Sequence, residues 1–205
     1  RSFLAILCGL RMRASSLLLM PCPHALSFLS VVPRRGTNAY SGGVLNVQSW
    51  PELTDPVVVI AFSGWVDAGV AGSGAAVHLA THVAGARVFG HVDLTELADL
   101  QRVRPTVKVE DGVFRSLTWP QIDLVAGTAG RDFVVVHGPE PARMWPSFAA
   151  ELVGMAEHVG ARMVIGLGGM PTVSSHRRPM TVMATATSAS VAQELSLIRP
   201  DYNGP

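Results

Sequence analysis

AFSGWVDAGVAGSG, residues 61–74, follows the apolar run PVVVI and carries four glycines in fourteen positions. Residues 57–62, VVVIAF, are continuous and largely β-branched, the pattern of a strand buried on both faces. The glycines after it have three readings: a phosphate cradle, a catalytic turn, or a place where two layers pack closely. A Walker loop needs a Gly-Lys-Ser/Thr ending, and no lysine stands here. A dinucleotide turn needs G-x-G-x-x-G directly after the strand, whereas Gly64, Gly69, Gly72 and Gly74 come in another order and run into the following helix. FSGW is not the G-x-S-x-G elbow of a serine nucleophile. Glycine inside a helix costs about 1 kcal/mol relative to alanine, so something must offset it. Ala68, Gly72, Ala76 and Ala80 recur every four residues and form a ridge of small side chains. Close packing is the reading the pattern favours.

Outward from this stretch, strand-like and helix-like segments alternate. Asp67 suits the cap of a helix running to about Val83. ARVFGHV (86–92), QIDLVAG (121–127), DFVVVHG (132–138) and RMVIGLGG (162–169) read as strands. PTVKVE and VFRSLTW flank Asp111-Gly112, a strong hairpin signal. Pro146 opens a helix on which Phe148, Leu152, Met155 and Val159 share one face, and Gly160 ends it. A last helix is expected from about Ser188 to Leu195. This is an α/β chain with a mixed sheet, parallel inside with an antiparallel hairpin.

Residues 1–43 read differently. FLAILCGL is short, and LLLMPCPHALSFLSVV is interrupted by Pro21 and Pro23, so neither reaches the roughly 18 apolar residues of a membrane span. RMR before an apolar stretch has the outline of a secretion signal, but the prolines break it. The expectation is an unstructured or non-native leader over 1–43 and one domain over 44–205. Cys8 and Cys22 both lie in the leader, so the domain needs no disulfide, which fits the cytoplasm. From residue 44 onward there are 11 basic residues against 15 acidic, a net charge of −4, and the sequence pI of about 8.1 belongs to the leader. A nucleic-acid partner, which needs a basic face, is not expected.

Three expected strands end in SGW, VHGPE and GLGGM, and the carboxyl ends of strands in open α/β sheets are where ligands bind. Gly64, Gly138, Gly168 and Gly169 could line such a crevice or simply supply turn geometry. Glu140 in GPEP is the best single acid candidate, with His176 a possible acid–base companion. His176, Arg177 and Arg178 could bind an anion or form an ordinary basic loop. His78 and His82 have helical metal-ligand spacing without a third ligand, so a solvated helix face is expected, and no metal or cofactor. Trp65, Trp119 and Trp145 stand at element boundaries as core lids or binding anchors.

GWVDAG (64–69), RPTVKVEDGVFRSLTWP (104–120), GPEPARMW (138–145) and LGGMPTVSSHRRP (167–179) together resemble the proteasome assembly chaperone 2 family, most closely its actinobacterial branch, over about residues 56–205. Val66, Val70 and His137 depart from that pattern, and RPDYNGP (199–205) resembles a turn after which family members continue. The resemblance implies a phosphorylase/hydrolase-like three-layer α/β/α sandwich, incomplete at its carboxyl end. It also implies a binding or assembly role with proteasome subunits as partners. With no nucleophile elbow, Walker loop or metal motif in the sequence, that role is expected to be non-catalytic, and further copies of the chain are expected as partners if an apolar patch is exposed at the carboxyl end. Gly64, Trp65, Asp67, Gly138, Glu140, Gly168, Gly169, His176 and Arg178 are the residues on which either that role or the alternative, a small-molecule binder or enzyme using the crevice, is expected to rest.

Overall fold

The computed structural model describes residues 2–9, 40–171, 177, 182–187, 189–194 and 201. Eleven strands are described: β1 (Ser2–Gly9), β2 (Tyr40–Gly42), β3 (Leu45–Val47), β4 (Val57–Ser63), β5 (Ala84–Asp93), β6 (Thr106–Glu110), β7 (Val113–Thr118), β8 (Gln121–Thr128), β9 (Asp132–Pro139), β10 (Met163–Pro171) and β11 (Val182–Ala186). The helices are α1 (Ala71–His82), α2 (Trp145–His158) and α3 (Ala189–Glu194), with a 3-10 turn at Ala68–Val70 leading into α1. Nine strands form one sheet in the order β11-β1-β10-β4-β9-β8-β5-β3-β2. Its core is a six-strand mixed sheet from β10 to β3: β10, β4 and β9 are parallel, and β8, β5 and β3 continue antiparallel.

Burial explains the parallel centre. In β4 and β9 the β-branched residues Val58, Val59, Val134 and Val135 are buried whichever face they point to, so both faces must be covered. One face packs under α2, where Phe148, Leu152 and Met155 join Val58, Val134, Val136, Ile122 and Leu124. The other carries α1, whose Ala76 and Ala80 meet Ala61, Val125 and Val135. The result is the expected α/β fold, with the sheet between two helical layers. Gly160, at φ +67, ends α2 as its spacing predicts.

Three expectations are corrected. Ser2–Gly9 and Tyr40–Gly42, both assigned to a leader outside the domain, are strands of the sheet: β1 pairs antiparallel with β10 and parallel with β11, and β2 pairs with β3. FLAILCGL is too short for a membrane span but long enough for a strand, and its partners β10 and β11 lie more than 150 residues away, so no local signal marks that role. The hairpin β6–β7 is not part of the main sheet; it forms a two-stranded sheet of its own. Finally, Gly69 lies outside α1 with φ +71, so only Gly72 and Gly74 are helical glycines of the opening stretch.

Candidate functional site

The carboxyl ends of β10, β4 and β9 lie side by side, and the turn after β4 is sewn to both neighbours. On the β9 side, the Glu140 N–H donates to the Ser63 carbonyl at 2.9 Å, and Glu140 Oε2 accepts the Trp65 N–H at 2.8 Å. Toward β10, the Gly169 N–H donates to the Val66 carbonyl at 2.9 Å, and Asp67 bridges to Gly169. Gly64, Trp65, Asp67, Glu140, Gly168 and Gly169 are thus brought together. His176 and Arg178 lie outside the described residues.

The roles within this cluster differ from one residue to the next. Asp67, 8% exposed, holds the start of α1: Oδ1 accepts the Gly72 and Ser73 N–H groups at 2.9 and 3.1 Å, and Oδ2 accepts the Ser73 hydroxyl at 2.5 Å. These are the donors that a helix start leaves unsatisfied, so the carboxylate is committed to the fold. The glycines are committed too. A Cβ on Gly168 would stand 2.9 Å from Val66 Cγ1, and one on Gly169 would stand 2.8 Å from the Ala68 carbonyl oxygen. On Gly138 it would stand 2.6 Å from the Gln121 carbonyl oxygen, toward β8. Gly64 lies against the Glu140 side chain. Strand-end glycine here serves close approach of protein to protein. The ridge on α1 behaves the same way, since a Cβ on Gly72 would meet the Leu167 carbonyl oxygen at 2.9 Å and Gly168 Cα at 3.1 Å.

What the turn presents outward is apolar. Trp65 is 87% exposed, Val66 is exposed, and Val70 is 65% exposed while held at φ +58, a left-handed conformation costly for a β-branched residue. The hairpin β6–β7 leaves and re-enters the sheet at this same edge, between β5 and β8. Its register pairs Val107 with Leu117 and Val109 with Phe114, which places all four on one face, and every one of them is exposed. Lys108 and Glu110 occupy the opposite face in an ion pair of 2.8 Å. Asp111 and Gly112 turn the hairpin with φ +51 and +76, as Asp-Gly predicts.

Sequence reasoning missed a concavity at the foot of the hairpin. It has a volume of about 270 Å³ and is lined by His91, Asp93, Thr95, Trp119, Pro120 and Gln121. Its only sequence signal was Trp119 at an element boundary. His91 and Asp93 reach it from β5, and Gln121 from the paired β8, facts that depend on register across a thirty-residue separation. Elsewhere His78 and His82 stack at 4.0 Å on an exposed face of α1. Among the described residues no group of three or more His, Cys, Asp or Glu side chains is arranged to hold a metal ion. Nor, among the described residues, is any helix long and apolar enough to cross a membrane.

Residues 61–205 match the model of the PAC2 family. A PAC2 family protein from Streptomyces avermitilis is 36% identical, with a TM-score of 0.64 over 74% of this chain and 65% of that one. A Mycobacterium tuberculosis proteasome-assembly chaperone homologue is 29% identical, with a TM-score of 0.55 over 73% of this chain and 64% of that one. A Mycobacterium tuberculosis protein of unknown function shares the fold at 24% identity, with a TM-score of 0.66 over 83% of this chain and 62% of that one. This chain therefore spans a little under two thirds of the length of each. No curated relative matches it.

Proposed function

The chain belongs to the PAC2 family, and on that premise we propose that it works by binding protein in a proteasome-assembly role, without catalysis, in the cytoplasm. The observation that carries this reading is the hairpin β6–β7. A two-stranded hairpin is marginal in water by itself, and this one turns an apolar face of Val107, Val109, Phe114 and Leu117 to solvent. Trp65, Val66 and Val70 expose further apolar surface along the same edge. Large exposed aromatics of this kind are the residues that anchor protein interfaces. Further copies of the chain and proteasome subunits are the partners this reading names. The strand-end glycines and Asp67 support it from the other side, because the groups that would have lined a small-molecule crevice are used in packing and capping.

The test mixes the purified chain with proteasome core subunits from the same organism and follows complexes by sedimentation, alongside an assay for ATP or nucleoside turnover. The reading expects a defined complex and no turnover. Steady turnover abolished by Glu140→Gln, with no complex formed, would establish the crevice enzyme instead.

A further inference from the structure

The cavity at the foot of the hairpin has a chemistry of its own. The register sets His91 opposite Asp123 and Asp93 opposite Gln121, so all four share one face of the β5–β8 pair. It is the face on which α1 lies further along the sheet, where Val125 packs against Ala76 and Ala80. Beyond α1 the residues on this face turn polar, and Asp93 and Gln121 are exposed among the described residues.

Hydrogen bonding decides what this face offers. Asp93 Oδ1 accepts both the Thr95 N–H at 2.8 Å and the Thr95 hydroxyl at 2.6 Å. These two bonds, the hydroxyl's first, hold the Asp93 carboxyl below its ordinary range, and nearby His91 adds to the effect. They also fix the carboxylate and use up both the N–H and the hydroxyl donor of Thr95. Gln121 Nε2 donates to Asp123 Oδ1 at 2.7 Å, which leaves the side-chain oxygen Oε1 of Gln121 as an acceptor. Among the described residues no lysine or arginine lines the space. Trp119, 53% exposed, and Pro120 close it with apolar surface.

We infer that this cavity binds an organic cation, a guanidinium or primary ammonium group on an aliphatic stem, with Asp93 as counter-ion, Gln121 as acceptor and Trp119 as the aromatic wall. A carboxylate, a carbonyl acceptor and an indole face are three groups a guanidinium satisfies at once. A volume of about 270 Å³ lies just below the range of about 300–1,000 Å³ for drug-sized ligands. It suits one side chain or a small metabolite and is too small for a nucleotide. The inference rests on this cavity alone and stands or falls apart from the binding role of Trp65.

Three probes test it, followed through the Trp119 indole N–H signal by NMR on the whole chain: agmatine, a capped Gly-Gly-Arg-Gly-Gly peptide, and the same peptide with neutral citrulline for arginine. The expected result is a saturable shift with a guanidinium probe, none with citrulline, and binding weakened about tenfold or more in Asp93→Asn. Trp119→Leu, followed through backbone amides of β5 and β8, provides a second variant that keeps the Thr95 turn intact and should weaken binding as well. Tighter binding of agmatine than of the peptide identifies a small-molecule pocket, and the reverse identifies a seat for a protein side chain. Equal binding of the citrulline peptide, no saturable shift up to about 10 mM, or undiminished binding in both folded variants would overturn the inference.

Discussion

The Glu140 carboxylate reaches across from the end of β9 to the backbone N–H of Trp65 at the end of β4, at 2.8 Å, and packs against Gly64 as it does so. One side chain thus fixes the base of the most exposed tryptophan in the turn. Glu140→Ala should free that N–H and loosen the turn at modest cost in stability, about 0.5–1.5 kcal/mol, because the bond is solvent-exposed. Partner affinity should fall further than stability does. Relaxation of the Trp65 amide, measured with thermal melts of the same variant, checks both; a large loss of stability with an unchanged turn would contradict the assignment.

Gly72 stands against backbone atoms of β10, which cannot swing aside. Gly72→Leu should therefore destabilise by about 1–3 kcal/mol through overpacking, read by denaturant titration. Unchanged stability would mean that α1 does not approach the sheet as closely as the small-residue ridge allows.

Asp67→Ala removes the acceptor for two backbone donors and one hydroxyl at the start of α1, and should cost about 1–3 kcal/mol. Asp67→Asn keeps one acceptor oxygen and should recover part of the loss. Equal stability of the Ala variant and the unsubstituted chain in urea would show that the cap contributes nothing.

Asp132 supplies an acid-sensitive contact. Its carboxylate accepts the Thr54 N–H at 2.7 Å and the Thr128 hydroxyl at 2.8 Å, and these bonds, the Thr54 one first, lower its pKa from the ordinary 3.8. A carboxyl whose folded pKa is depressed contributes stability above its unfolded pKa and loses it as pH falls through the folded value. The contribution should thus be constant at neutral pH and fade below pH 3.8. Asp132→Asn should be less stable at neutral pH and show a shallower acid decline in melts taken across that window.

Elements with local signals were legible in the sequence, and relationships between distant strands were not. The run at Val57–Phe62, the Asp-Gly hairpin and the face of Phe148, Leu152 and Met155 each rest on periodicity or turn chemistry confined to a few residues. The capping role of Asp67 was legible for the same reason. Ser2–Gly9 escaped because a lone apolar run acquires its meaning only from β10 and β11, more than 150 residues away. For Gly138 the sequence leaves crevice lining and turn geometry equally open, and its packing against β8 follows only from sheet order. The polar cavity at Asp93 and Gln121 was invisible for the reason that made Gly138 ambiguous: register joined residues whose local patterns say nothing of each other.

The central claim, that the carboxyl edge of the sheet binds protein through Trp65 and the hairpin, is tested most directly by one calorimetric titration. The chain and its Trp65→Ala and Phe114→Ser variants would each be titrated into purified proteasome core subunits. Both residues are exposed, so both variants should keep their stability within about 0.5 kcal/mol. Each should bind about tenfold or more weakly than the unsubstituted chain. Affinity unchanged in both variants, or no measurable heat with the unsubstituted chain, would contradict the account.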